Sequence, residues 1–424
     1  MPRRRILVVS YPYPPMPTVG GNRWLAMARY LREMGHHVTI LTTSAFGSLP
    51  DDAEHDVVRS ADLVAAPWLR RLMRRPPLPE AGEALPIDTP PSRLITGVAV
   101  PDPYVLTWVP GAIVAVRRLL RRAHFNAIVT TSAYESAHLV PMALGRTRPA
   151  WVADFRDGWT YDPWKPPFPT RAQRSLDLRL ERRVVRTAER VAAVELPVAE
   201  DFRARLGVDA AHVPNGWDPA LEAELATAEP PPLDPRRASL VHTGKLSGDW
   251  GRHPGTLFQA MARLQERSPE LAGRVELVLA GRLDRDEQEL IEGLALGDMV
   301  RHVGQLSRAE AIALQRRADG LLLLTSPDLV WELPGKFFEY LSAGRPILAL
   351  ADGNEAARMV QETGTGVTVP PQDVEAVTEA LGRLARGELA GEHSPTGTER
   401  YVYPAPAEEM MREIEAALAA RDRA

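Results

Sequence analysis

The stretch Ser326–Leu350, SPDLVWELPGKFFEYLSAGRPILAL, encodes a helix and a strand with both helix ends marked. Pro334 and Gly335 stand where the helix should begin, and Gly344 followed by Pro346 should stop it. Phe337, Phe338 and Leu341 share one face and should pack inward. The apolar run that follows, Pro346–Leu350, reads as a short buried strand. A helix mouth offers backbone amides and the positive end of a dipole, which is a natural seat for a diphosphate.

The same alternation of short apolar runs and helical patterns extends in both directions. Around this stretch, strands are expected at Leu240–His242, Glu276–Leu279, Val300–Val303, Gly320–Leu324 and Gly366–Val369. A first series holds Ile6–Val9, His37–Thr42, Ala127–Thr130, Trp151–Ala153, Arg190–Val194 and His212–Val213, with a helix over Asn22–Met34. Apolar runs of this length between helices signal parallel sheets with crossover helices. The expected fold is therefore α/β, two Rossmann-like doubly wound parallel-sheet domains facing across a cleft. The expected boundaries are 1–228 for the N-terminal domain, 229–235 for a Pro-dense linker and 236–404 for the C-terminal domain. A closing helix in 405–424 is expected to pack back on the N-terminal domain.

Bulk composition narrows the function classes. The 424 residues carry a formal charge of -4, which argues against nucleic acid as a general partner. Zero cysteines exclude a disulfide scaffold, a cysteine–zinc site and a cysteine nucleophile. No run of eighteen apolar residues occurs, and the apolar run Ile6–Val9 is too short for a signal core. A cytoplasmic protein is expected. Arginine supplies 48 of the 51 basic residues, which singles out the lysines at 165, 245 and 336.

Lys336 and Glu339 lie three residues apart near the helix start and share a face. Lys336 can add charge to a diphosphate seat, and Glu339 can accept from a ribose diol. The bland alternative is a solvated Lys–Glu pair.

The segment resembles the donor-binding motif of glycosyltransferase family 4, retaining enzymes of GT-B fold. That motif is a Glu, a Gly three residues later, and a second Glu on a helix that ends before Gly-x-Pro. Glu332, Gly335, Glu339 and Gly344–Pro346 match it. Six residues separate the two Glu here, where the family usually has seven, and strict spacing would put Trp331 in the first position. Glu332 keeps its spacing to Gly335, so the deletion is placed between Gly335 and Glu339.

HTGKLSGDWGR, His242–Arg252, is similar to the family's Gly-basic loop, which implies that Lys245 and Arg252 grip the diphosphate and stabilise its charge as the sugar leaves. VPNGWDP, Val213–Pro219, is similar to the family's Pro-Asn-Gly crossing segment, and RHVGQLSRAE, Arg301–Glu310, to the strand and loop that hold the nucleobase. In the opening loop YPYPPMPTVGGNRW, Gly20 and Gly21 permit close backbone approach at a helix start, and the resemblance implies that this loop reaches donor phosphate or acceptor. WVADFRDGW, Trp151–Trp159, resembles the Asp-Phe-Arg-Asp-x-Trp motif of a family subgroup. It sets Asp154, Arg156 and Asp157 at a strand's C-terminal end, with Arg156 and Asp157 expected to face the cleft. A structural ion cluster of these three is the alternative. His138, in TTSAYESAHL, is a further catalytic candidate against a plain structural role.

Asp284-Arg-Asp286 looks like a metal motif, but it opens an acidic helix and reads better as an N-cap. The ten histidines lack metal-ligand spacing. No essential metal and no other cofactor is expected, only a nucleotide-diphosphate sugar as substrate. The resemblance implies a retaining sugar transfer to a small-molecule, glycan or lipid-linked acceptor. Two other readings stand beside it: a nucleotide-sugar epimerase of the same architecture, and a catalytically silent sugar-nucleotide-binding subunit. Pro67–Pro77 and Ala112–Arg122 mix arginine with apolar residues, as ordinary surface or lid helices or as a peripheral membrane contact.

Overall fold

The computed structural model describes residues 2–16, 19–63, 98–132, 134–161, 168–247, 252–326, 329–331 and 333–423. They divide into two compact units, Met1–Asn215 with Tyr403–Ala424, and Gly216–Val402.

In the first unit the described strands form one sheet in the order β3-β2-β1-β4-β5-β6-β7. The strands are β1 Arg5–Ser10, β2 His37–Thr43, β3 Val57–Ser60, β4 Ala127–Thr131, β5 Ala150–Phe155, β6 Arg190–Ala193 and β7 Ala210–His212. All pairings are parallel. The central strands are buried along almost their whole length, as sheets covered on both faces require. The order reverses between β1 and β4, where an open sheet forms its ligand crevice.

The helix Ala405–Asp422 closes this unit. Met410, Met411, Ile414 and Ala417 join Ile6, Val8, Trp24, Met27 and Leu31 in one apolar cluster. Arg4 clasps Glu415 through two bonds of 2.8 and 2.7 Å, and Arg190 reaches Glu413 at 2.6 Å. Return of the closing helix to the first unit follows from its apolar stripe.

In the second unit the described strands are β8 Ala238–Thr243, β9 Val275–Ala280, β10 Val300–Gly304, β11 Gly320–Leu324, β12 Ile347–Leu350 and β13 Gly366–Val369. Their order is β10-β9-β8-β11-β12-β13, again parallel throughout. Here the reversal lies between β8 and β11.

Two expectations shift. The first passage between units falls at Asn215/Gly216, not at 229–235; Leu233 in that Pro-dense stretch packs on an apolar cluster of the second unit. The edge strand β3, VVRS, was not expected, because a four-residue run that is mostly half-exposed carries no long apolar signal. Among the described residues no helix is long and apolar enough to cross a membrane.

Candidate functional site

In the second unit the crevice end of β8 leads into the loop His242–Ser247. Gly244 turns the chain with φ +91°, and a Cβ on Gly281 (φ +149°) would stand 2.4 Å from the Gly244 carbonyl oxygen. Both positions therefore need glycine. The Ser247 amide donates to Glu287 at 2.7 Å, so a buried carboxylate fastens the far side of this loop. Glu287 also completes a capping box with Asp284, whose side chain accepts from the Glu287 amide. Asp284 is thus a helix cap.

His242, absent from the sequence expectations, sits at the centre of the loop. Its Nδ1 lies 3.0 Å from the Leu322 carbonyl on β11, and its Nε2 lies 3.2 Å from the Lys245 carbonyl. Burial pushes its pKa down to about 3, helped by the nearby charges of Lys336 and Arg252. The imidazole is neutral at physiological pH.

Lys336 begins the helix Lys336–Ala343, and its ammonium donates to His242 Nε2 at 3.0 Å and to the Thr243 carbonyl at 2.8 Å. The helix is held by Phe337, Phe338 and Tyr340, all buried, each contributing about 1.5–3 kcal/mol. Leu341 is partly buried against the same cluster. Gly344 ends it in the left-handed region at φ +65°. At the mouth, the Phe337 and Phe338 amides already donate to Pro334 and Gly335 carbonyls, at 2.8 and 3.3 Å. Gly335 itself is exposed there.

Lys336 and Glu339 share the helix but not a partner. Glu339 accepts at 3.2 Å from Arg308, the first residue of the helix Arg308–Arg317 that follows β10. The structure thus brings the Lys336 ammonium and the Lys245 carbonyl to one imidazole that also feels the charge of Arg252, with Glu339 a turn farther along. Glu332 lies outside the described residues. Its neighbour Trp331 is half-exposed, and its buried Nε1 has no hydrogen-bond partner among the described residues.

In the first unit Gly20 and Gly21 fall in the first turn of the helix Val19–Glu33. Asp154 is fully buried and accepts from Arg23 at 3.3 Å, Trp24 Nε1 at 3.0 Å and Thr131 at 2.9 Å. Arg23 also donates to the carbonyls of Val213 and Pro214, tying the first helix to two strand ends. The alternative of an Asp154–Arg156–Asp157 ion cluster is therefore not what forms.

Arg156 and Asp157 follow β5 and are both partly exposed. The Arg156 amide donates to Ser132 at 3.1 Å, and its Nε is buried without a partner among the described residues. The segment beyond is pinned by two carboxylates of the helix Arg171–Thr187: Asp177 accepts from Trp159, and Glu181 accepts from Thr160. His138 is wholly buried beside Phe155 and Trp159, at ring distances of 4.4 and 6.3 Å. Its Nδ1 meets Thr130 at 2.7 Å, Nε2 has no partner among the described residues, and burial pushes its pKa down to about 3.

Among the described residues no three His, Asp or Glu side chains gather as a metal site. Residues 20–216 match the family model described as a glycosyl transferase 4-like domain, and residues 237–386 match glycosyl transferases group 1. No curated protein matches the chain. Among solved structures, sucrose-phosphate synthase from Thermosynechococcus elongatus is similar at 20% identity and TM-score 0.61, covering 99% of this chain and 98% of that one. A lipopolysaccharide outer core galactosyltransferase is similar at 14% identity and TM-score 0.60, covering 97% and 99%. A candidate UDP-N-acetylglucosamine 2-epimerase from Listeria monocytogenes gives 12% and 0.55, covering 99% and 97%. These likenesses and the two parallel sheets identify the fold as GT-B.

Proposed function

We propose, for a chain that carries a glycosyl transferase 4-like domain followed by a glycosyl transferases group 1 domain, that it moves a sugar from a nucleotide-diphosphate donor to an acceptor with retention at the anomeric carbon. The observation that carries this reading is the gathering of Lys336, Arg252 and the Lys245 loop at the β8/β11 reversal. Such a site suits a group that leaves with two or more negative charges.

In the reaction, the acceptor oxygen or nitrogen forms a bond to the anomeric carbon while the bond from that carbon to the diphosphate oxygen breaks. The electron pair leaves on the diphosphate, which takes the acceptor's proton on the same face. Lys245, Arg252, Lys336 and the Gly335 region neutralise the charge that builds on the leaving group. A cation about 4 Å from that charge contributes about 4 kcal/mol at an effective dielectric near 20. Protein cations thus fill the role, and the reading routes no step through a metal. Glu339 holds the ribose diol, and Glu332 orients the sugar. Gly20 and Gly21 give a close backbone approach to donor or acceptor, and Arg156 and Asp157 serve the acceptor side. The acceptor class stays broad: a small molecule, a glycan or a lipid-linked alcohol.

A panel of nucleotide sugars in thermal-shift and turnover assays tests the reading, with the product's anomeric configuration read by NMR. Inversion at the anomeric carbon, or no raised melting temperature with any donor, would end it. Incubation with donor alone separates an epimerase, which converts the sugar with no acceptor present. Donor binding without transfer or hydrolysis would instead mark a silent subunit.

A further inference from the structure

We infer that His242 is a positioning residue that aims the Lys336 ammonium at the diphosphate seat while leaving its charge intact. The inference rests on the diphosphate reading above.

Lysine carries its charge on a flexible stem, so an ammonium at a helix mouth needs anchors if it is to meet a ligand in one place. Lys336 donates to His242 Nε2 at 3.0 Å and to the Thr243 carbonyl at 2.8 Å, both at the end of β8 and some ninety residues away in sequence. Both are uncharged acceptors. A carboxylate in the place of His242 would hold the ammonium equally well but would cancel the charge the ligand needs.

His242 accepts from Lys336 only as one tautomer. The Leu322 carbonyl, 3.0 Å from Nδ1, can only accept, so Nδ1 carries the proton; Nε2 faces the Lys245 carbonyl at 3.2 Å and the Lys336 ammonium at 3.0 Å, and since the ammonium can only donate, Nε2 presents its lone pair to it. The other neutral form would set a lone pair against Leu322 and a proton against the ammonium. Burial and the adjacent Lys336 and Arg252 charges keep the ring from taking a second proton. The groups facing the ring are therefore Lys336, Arg252 and the carbonyls of Leu322 and Lys245.

The test uses inorganic pyrophosphate, titrated calorimetrically into the full chain, so that the nucleobase does not matter. His242→Leu and Lys336→Ala should each weaken binding about tenfold, and the double variant should be no weaker than Lys336→Ala, since His242 acts only through that lysine. His242→Gln, which keeps an acceptor in reach, should bind within about threefold of the wild type. Wild-type affinity in His242→Leu, or additive losses in the double variant, overturns the inference while the diphosphate reading stands. A wild-type chain that binds no pyrophosphate overturns both. A measurement without substitution guards against misfolding: ¹⁵N-histidine NMR of the wild type, with the His242 ring assigned apart from the buried His138 ring, should show His242 neutral and protonated at Nδ1 from roughly pH 5.5 to 8. An Nε2-protonated ring for His242, or one titrating near pH 6.5, refutes it.

Discussion

The ammonium of Lys336 lies 3.0 Å from Nε2 of His242, whereas the alternative reading of this helix was a solvated pair with Glu339. Glu339 is held instead by Arg308. Lys336 and Glu339 are thus held by different elements, one by the end of β8 and the other by the start of the helix Arg308–Arg317. Phosphate and ribose contacts should therefore respond separately to substitution.

Replacing Lys245 or Arg252 with alanine should lower turnover on the order of 100-fold, with a smaller effect on donor KM, because both are proposed to act on charge that develops as the sugar leaves. Steady-state kinetics with the best donor checks this. Unchanged kcat in both variants would remove these residues from the chemistry.

Glu339→Ala should raise the Kd of a nucleoside diphosphate about tenfold and leave that of inorganic pyrophosphate unchanged, since pyrophosphate has no ribose. The Arg308 side chain left behind is about half exposed, so losing this pair should cost little stability. Equal weakening of both ligands would show that Glu339 acts through the diphosphate seat.

Asp154→Ala should destabilise the first unit by about 3–5 kcal/mol, because it leaves the Arg23 guanidinium buried with its charge uncompensated. Asp154→Asn keeps hydrogen-bonding capacity toward Trp24 and Thr131 and should cost less. Calorimetric melting tells them apart, and wild-type stability in Asp154→Ala would deny the hub role.

Acid should weaken the fold through His138 and His242. Each is neutral in the native state with a pKa near 3, whereas the unfolded chain takes up a proton below about pH 6.5. Their stabilising effect is complete above that pH and is lost as pH falls, by about 1.4 kcal/mol per unit for each ring. Urea unfolding followed from pH 7.5 to 5, conditions on either side of about 6.5, measures the slope. His138→Phe, which fills the space beside Phe155 and Trp159, should reduce that slope by one proton and keep turnover within about threefold. A slope unchanged by the substitution would mean that the native ring is already charged, and a large fall in turnover would return His138 to the reaction.

The sequence by itself determined the elements and the class of fold. Runs such as Ile6–Val9 and Gly320–Leu324 are continuous and apolar because both faces of a parallel sheet are covered, so their period is legible without coordinates. The ends of the helix Lys336–Ala343 were equally plain, since Gly344 and Pro346 act locally on backbone conformation. What only the tertiary structure decided is who meets whom. His242 and Lys336, or Arg23 and Asp154, lie on different strands and helices, and nothing local in either neighbourhood marks them as partners. The same holds for Glu339, whose helical spacing offered Lys336 as a neighbour while the first residue of the helix after β10, Arg308, holds it in the structure. Backbone preference acts over a few residues and is written in the chain; side-chain pairing across a sheet reversal depends on strand order, which no single segment encodes.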